Sequence, residues 1–262
     1  MAREKLSVLI PAGNEERNIA DCVQSARWAD EVVVVVDSAT TDRTIELATP
    51  LADRVLVHEY VNSATQKNWA IPQMAHEWVM VLDADERVTR ELRDEILGIL
   101  EKGANDFCAF RVWRRNHFMG RRVRFCGWQN DSCVRLFRRD RSRYQDRQVH
   151  ADVECDGPIG KLKGNLLHYT FTSFDQYMKK FDRYAAWASG DRAKHTKTVR
   201  WHHLTLRPAW RFFRQYVLKL GFLDGVTGLI VCSLAAYSVF LKYAKLWERR
   251  QSAEQRPDAT ET

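Results

Sequence analysis

Residues 79–88 read VMVLDADERV, an apolar run that ends abruptly in the acids Asp83, Asp85 and Glu86. The first half suits a strand inside a core, where carboxylates are the groups least tolerated. In an extended segment residues i and i+2 share a face, so Asp83 and Asp85 can aim at one ion. Hard oxygen ligands without a His/Cys cage suit Mg²⁺ or Mn²⁺ completed by substrate phosphates. The plain alternative is a strand followed by a polar turn, its acids solvated or capping a helix.

Working outward, LSVLIPA (6–12) reads as a buried parallel strand, and EVVVVVDS (31–38) is too apolar to have a solvent face. RVLVHEY (54–60) is a third strand and EWVMVLDAD (77–85) a fourth. Between them, residues 14–29, 41–52 and 63–75 carry helical spacing, the first with Asn14 as N-cap and the last interrupted by Pro72. This alternation predicts an α/β domain with a mostly parallel sheet flanked by helices. Ligands of such sheets gather at the carboxyl ends of strands. Here those ends carry Asn14, Asp37 and the Asp83/Asp85 pair.

Downstream, TRELRDEILGILEKG (89–103) is an amphipathic helix closed by Gly103. The texture then changes: residues 107–125 and 134–144 alternate apolar and cationic side chains, as exposed antiparallel strands do. LKGNLLHYTF (162–171) is a further strand, carrying His168 near its end, and residues 173–193 form a helix. Gly225–Leu241 is free of charge for 17 residues, short of the ~20 that span a bilayer. Its flanks hold Trp, Tyr, Arg and Lys, as an interfacial belt does. The expected organisation is a catalytic domain over 1–175, a helical membrane-associating section over 176–250 and a disordered tail over 251–262. Within the first, 1–100 and 101–175 are expected to form two halves.

Charge is unevenly spread. Residues 1–100 hold 10 Lys/Arg against 18 Asp/Glu, whereas 111–147 hold 12 arginines and three acids. A basic segment beside an acidic one points to an anionic partner: phosphate, nucleic acid or lipid headgroups. The hydrophobic fraction of 45% excludes a disordered chain. Six scattered cysteines without a CxxC pair fit a reducing compartment, and the opening MAREKLSVLIPAG has too short an apolar run for a signal peptide.

SVLIPAGNEERNI, VVVVVDSATTDRT, QKNWAI and EWVMVLDADERV, in that order, resemble family 2 glycosyltransferases of the GT-A (nucleotide-diphospho-sugar transferase) fold. GWQNDSCVRLFRR, VHADVECDG, LLHYT and GFLDGVTGL resemble a branch that adds sugars to lipopolysaccharide core or related envelope glycans. The resemblance spans about residues 5–245 and implies that 1–100 is the nucleotide-sugar-binding half and 101–175 the acceptor-side half of the catalytic domain. It implies that Pro11, Ala12, Asn14 and Glu15 line the nucleotide site and that Asp37 accepts the uracil imide N–H. Lys67 would approach the diphosphate, and Asp83 the ribose or a metal-bound water. Asp85 would bind the metal, Mg²⁺ or Mn²⁺, with His168 as a third ligand beside Asp83. Arg135 and Arg138 are candidate phosphate or acceptor contacts.

Two departures from the pattern matter. The aromatic that usually follows "PA" is Gly13 here, so base stacking falls to another group, Trp69 being one choice. The branch carries His-Glu where this chain has His150-Ala151. An inverting transferase needs a carboxylate to take the acceptor proton, which leaves Asp131 and Asp152 as candidate bases, with Glu154 behind them. The implied activity is transfer of a hexose from a UDP-sugar to a glycolipid acceptor at the cytoplasmic face of the inner membrane, through a peripheral or re-entrant contact. A sugar nucleotidyltransferase shares the fold, but its glycine- and arginine-rich loop is missing from PAGNEERN. A nucleotide-sugar-binding or membrane-scaffold protein with an impaired site is the reading that Ala151 keeps open. A nucleic-acid partner is not expected, because no known motif is present and the acidic first hundred residues repel a polyanion.

Overall fold

The computed structural model describes residues 3–104, 106–146, 152–171, 173–175, 177–178, 196 and 198–254. Four strands, β1 (Leu6–Ala12), β2 (Glu31–Asp37), β3 (Arg54–His58) and β4 (Trp78–Val81), pair in parallel in the order β3-β2-β1-β4. Val32, Val34 and Val36 join Leu6, Val8 and Ile10 in one core cluster. Val33 and Val35 join Leu9 in a second cluster on the other face. Burial on both faces is what an unbroken valine run encodes.

The helices are shorter than their sequence signals. α1 (Ile19–Ala26) begins after Asn18, and Asn14 does not cap it. Asn14 instead adopts a left-handed φ of 55°, and its side-chain oxygen accepts from the Thr41 N–H (3.0 Å) and hydroxyl (3.3 Å). Asparagine tolerates that conformation better than most residues, and here the bonds from Thr41 hold it. α2 (Thr44–Ala48) keeps only the centre of the expected helix. α3 (Ser63–Ala70) is capped by Asn62, whose Oδ1 accepts from the Thr65 N–H at 2.9 Å. It tightens into a 3₁₀ turn at Ile71–Gln73, where Pro72 offers no N–H.

Beyond Asp85 come β5 (Glu86–Val88), α4 (Arg90–Lys102), β6 (Ala109–Phe118), β7 (Arg121–Arg122) and β8 (Ser132–Arg138). β9 (Ser142–Tyr144), β10 (Val153–Cys155) and β11 (Ile159–Phe171) follow. The sheet continues β4-β8-β6-β11-β5, and β4/β8, β8/β6 and β11/β5 are antiparallel. The expected α/β sheet is thus parallel through β4, with antiparallel pairs beyond it. β9 and β10 form a separate two-stranded ribbon. Cys108 and Cys155 pair as a disulfide with Cα atoms 6.3 Å apart, a link that reading the cysteines for a reducing compartment did not foresee.

The chain divides into two compact units, residues 1–115 with 131–169, and residues 116–130 with 170–262. The second contains α5 (Trp201–Leu204), α6 (Leu206–Phe213), a π-helical turn at Arg214–Leu218, a 3₁₀ turn at Gly221–Asp224 and α7 (Gly225–Glu254). The GFLDGVTGL stretch builds the start of α7. The Asp224 carboxylate accepts from the backbone N–H groups of Arg124 (3.1 Å) and Phe125 (2.8 Å). A Cβ at Gly228 would lie 1.9 Å from the Gly221 carbonyl oxygen, so only glycine fits there. Phe118, Val123, Cys126, Val231 and Cys232 form a small core. The helical segment Gly221–Ser252 is long and apolar enough to cross a membrane, and only 17% of its most apolar window is buried. Residues 225–241 are therefore largely exposed and not a buried core helix. The helix expected over 173–193 falls mostly outside the described residues, as do His150, Ala151 and the tail from 255 onward.

Candidate active site

The loop after β1 and the end of β2 meet around Asp37. Pro11 and Ala12 pair with Val35 and Val36. A Cβ added at Gly13 would sit 3.4 Å from that of Asp37, so glycine brings the loop against this acid. Asp37 Oδ1 accepts from the N–H groups of Ala39 (3.1 Å) and Tyr60 (3.2 Å), while no such bond to Oδ2 is made by the described residues. The Glu15 N–H donates to Thr44 Oγ1 at 2.8 Å, and its carboxylate accepts from Asn18 Nδ2 at 2.7 Å. Asn14 and Glu15 therefore tie the end of β1 to the start of α2. Trp69, the candidate stacking residue, lies on His58 with ring centroids 3.9 Å apart.

Around Asp83 the structure buries charge. Lys67 projects from α3 and donates through Nζ to Asp83 Oδ1 at 3.0 Å, with the Tyr144 ring 5.1 Å away. Arg135 projects inward from β8 between the buried residues Val134 and Leu136 and is only 4% exposed. Its Nη2 donates to Asp83 Oδ2 and, at 2.7 Å, to Glu86 Oε1. Glu86 is fully buried, and its other oxygen accepts from the Asp83 N–H at 3.1 Å. Arg114 from β6 lies 3.6 Å from Glu86 and donates to Asp131 at 2.5 Å.

Electrostatics in this cluster follow from burial opposed by pairing. Burial alone would raise Asp83, but Arg135 and then Lys67 hold its carboxyl far below the ordinary aspartate range. Burial pulls the Lys67 ammonium down, yet Asp83 outweighs it and leaves the lysine above its usual value. Arg135 likewise resists burial through Asp83, Cys133 and Glu86 and stays firmly cationic. The result is a pair of cations, Lys67 and Arg135, at the end of a parallel sheet, kept charged chiefly by the Asp83 carboxylate between them.

Asp85 and His168 lie beside it. Their nearest oxygen and nitrogen are 3.7 Å apart, and the Tyr169 N–H donates to the Asp85 carbonyl at 2.8 Å. His168 sits opposite Glu86 in the β11/β5 ladder. Burial lowers its pKa, but the hydrogen bond and charge of Asp85, with Glu86, outweigh that and raise it, so the pair attracts positive charge. Among the described residues no three His, Cys, Asp or Glu side chains are grouped as a metal cage. The expected set of Asp83, Asp85 and His168 is not assembled, because both Asp83 oxygens are held by cations. Asp85 and His168 remain as a two-ligand pair, which suits a cation that takes its other ligands from phosphate and water.

The two candidate bases differ in setting. Asp131 is ion-paired with Arg114 and so joins the chain Arg114–Glu86–Arg135–Asp83. Asp152 is exposed, its carbonyl accepting from the Gln145 N–H at 2.9 Å in the β9/β10 ribbon. Arg138 is engaged away from Asp83, with Glu77 and Glu4. Sequence reading missed Glu86, Arg114 and Tyr144. Glu86 stood in the stretch first quoted, but its acid neighbours made it look like part of a solvated turn. Tyr144 is buried with a hydroxyl that has no hydrogen-bond partner among the described residues.

An α/β sheet with acids and cations concentrated at the carboxyl ends of its parallel strands defines the class. Residues 7–154 match the family described as glycosyl transferase family 2, and the chain belongs to that family, with its GT-A fold. It is 30% identical over 256 residues to an uncharacterized glycosyltransferase of Rickettsia felis, covering 94% of this chain and 90% of that one. It is 29% identical over 251 residues to the lipopolysaccharide core biosynthesis glycosyltransferase LpsC of Rhizobium meliloti, covering 93% and 92%. Among solved structures, the S. aureus TarS fragment 1–349 aligns over 98% of this chain and 94% of its own, at 15% identity and a TM-score of 0.45.

Proposed function

We propose that the protein is an inverting hexosyltransferase that moves a sugar from a UDP-hexose to a lipid-anchored envelope glycan of the lipopolysaccharide-core kind. The observation that carries this reading is the Lys67–Asp83–Arg135 cluster beside the Asp85–His168 pair at the end of the parallel sheet. The similarity to LpsC along nearly the whole chain supports the acceptor class. Residues 1–175 would form the catalytic part and 176–250 the membrane-associating part, working at the cytoplasmic face of the inner membrane.

In this reading Pro11, Ala12, Asn14 and Glu15 line the nucleotide, and Asp37 receives the uracil imide N–H on Oδ2. Lys67 and Arg135 neutralise the diphosphate, and Asp83 holds both cations in place until the donor arrives, then faces the ribose. Asp85 and His168 would hold Mg²⁺ or Mn²⁺, which supplies Lewis-acid stabilisation of the charge on the leaving diphosphate. The acceptor hydroxyl attacks the anomeric carbon from the side opposite the diphosphate, and its proton passes to a carboxylate. Asp131 is favoured over Asp152, because its ion pair with Arg114 links it through Glu86 and Arg135 to Asp83 at the proposed donor site.

Incubating the protein with a panel of UDP-hexoses, Mn²⁺ and a lipopolysaccharide-core acceptor tests the reading. Acceptor-dependent UDP release from one sugar, lost in Asp85→Ala, is the expected result. Donor binding without release from any sugar would favour the second reading, a nucleotide-sugar-binding or scaffold protein, which the Ala151 departure supports.

A further inference from the structure

The second unit exposes what soluble proteins hide. Trp201 is 69% exposed, Trp210 57%, Leu223 55% and Val226 74%. Leu206, Trp210, Phe213 and Val217 recur at spacings of four, three and four, which puts them along one side of α6 and the turn after it. Arg207, Arg211 and Arg214 repeat nearly the same spacing one residue later, so a cationic stripe flanks the apolar one. Residues 200–223 contain four arginines and one lysine and no acid. The one acid within residues 201–230, Asp224, is turned onto the Arg124 and Phe125 amides.

We propose that this surface, residues 201–230, lies in the interface of an anionic lipid bilayer, with its aromatic side chains among the acyl-chain ends and its arginines on the headgroups. The proposal rests on the membrane contact in the function proposed above and deepens it by naming the surface, the lipid charge and the mode. Tryptophan places an apolar body and a polar N–H across such an interface, and arginine reaches headgroups while its stem covers apolar surface. A basic amphipathic helix with aromatics opposite its charges is the usual interfacial design. An apolar patch of this kind marks a binding surface rather than a solvated face. A two-fold contact between copies would set arginines against arginines, so a second copy is a poor occupant. Arginines recurring each turn through α6 deny it the ~20 apolar residues of a span, so the element lies along the surface. Val226, Leu229 and Ile230 continue the exposed apolar surface onto α7.

The test is flotation of the full-length protein with zwitterionic vesicles and with vesicles containing about 30% anionic phospholipid. The expected result is retention on the anionic vesicles, weakened by salt. Arg214→Gln with Lys219→Gln removes two exposed charges, each worth about fivefold in partitioning, so a drop of about 25-fold is expected. Trp210→Ser with Phe213→Ser lowers retention at least about tenfold, with an unchanged Tm. Failure of the wild type to float, or equal flotation of wild type and both double variants, would overturn the proposal. So would a lipid-free dimer that Trp210→Ser with Phe213→Ser dissociates, which would assign the surface to a second copy. UDP release with a water-soluble acceptor is measured in parallel: its absence from a protein that floats would sink the transferase reading and leave the docking surface standing.

Discussion

The two units break the burial rule in opposite directions. The first places two guanidinium groups, an ammonium and two acids in or beside its core. The second leaves tryptophans, phenylalanines and leucines in solvent. Either arrangement is unfavourable for a chain that only has to fold. In the first unit the charges compensate one another, so the structure tolerates them, and in the function proposed above the donor diphosphate exchanges for Asp83. In the second the described residues leave the apolar side chains uncovered, as the bilayer contact proposed above requires. Buried charge held in opposed pairs is what a prepared site needs, whereas exposed apolar surface is what a docking surface needs.

The comparison breaks most visibly at Arg135. Replacing it with Met leaves Glu86 buried with only the more distant Arg114 guanidinium, and removes one of the two cations on Asp83. A loss of about 3–5 kcal/mol is expected, on the order of 10 °C in Tm by calorimetry. An unchanged Tm would mean that the ionic cluster is not coupled to the fold. In the second unit Gly228→Ala should be costly for a packing reason alone. Its new Cβ meets the Gly221 carbonyl, and about 1–3 kcal/mol of stability should disappear in thermal unfolding. A neutral effect there would mean that the start of α7 is looser than its contacts indicate.

Smaller effects sharpen the contrast between paired charge that serves a ligand and paired charge that serves only the fold. Asp37→Asn should weaken UDP about tenfold in calorimetry, about 1.4 kcal/mol, and unaltered affinity would remove the base contact. Glu31, at the opposite end of β2, is buried and accepts from Ser7 (2.5 Å), Ala75 (2.8 Å) and Arg54 (2.7 Å). Burial raises its pKa, but the Ser7 hydroxyl, the Ala75 amide and Arg54 outweigh that and depress it. A depressed carboxylate contributes stability above its unfolded pKa of about 4.3 and loses it as pH falls through the folded value. Glu31→Gln should therefore flatten the fall of Tm below about pH 5 while turnover at pH 7 stays the same. A fall in turnover would show that Glu31 is more than scaffold.

Legibility followed the range of the interactions. β1 matched its sequence signal to the residue and β2 to within one, because a doubly covered strand writes its burial into consecutive apolar side chains. Asn14 was read as a helix cap from its residue type, but the left-handed turn it adopts is decided by Thr41, 27 residues away. The pairing of Asp83 with Arg135 depends on the antiparallel register that sets Met80 opposite Leu136, and nothing local announces it. Glu86 became buried for the same reason, through the β5/β11 ladder. The apolar run at 225–241 was visible at once. The exposed stripe from Leu206 to Val217 was not, since arginines interrupt it in sequence and separate from it only once the helix is wound.

The claim that everything else leans on is that the donor diphosphate settles on the Lys67/Arg135 cations with a divalent ion held by Asp85 and His168. Calorimetric titration of UDP with and without Mn²⁺, on the wild type and on Asp85→Asn, tests it most directly. The account predicts measurable metal-free binding in both proteins, and at least about tenfold tighter binding with Mn²⁺ in the wild type alone. The same Mn²⁺ enhancement in Asp85→Asn, or none in either protein, would contradict it.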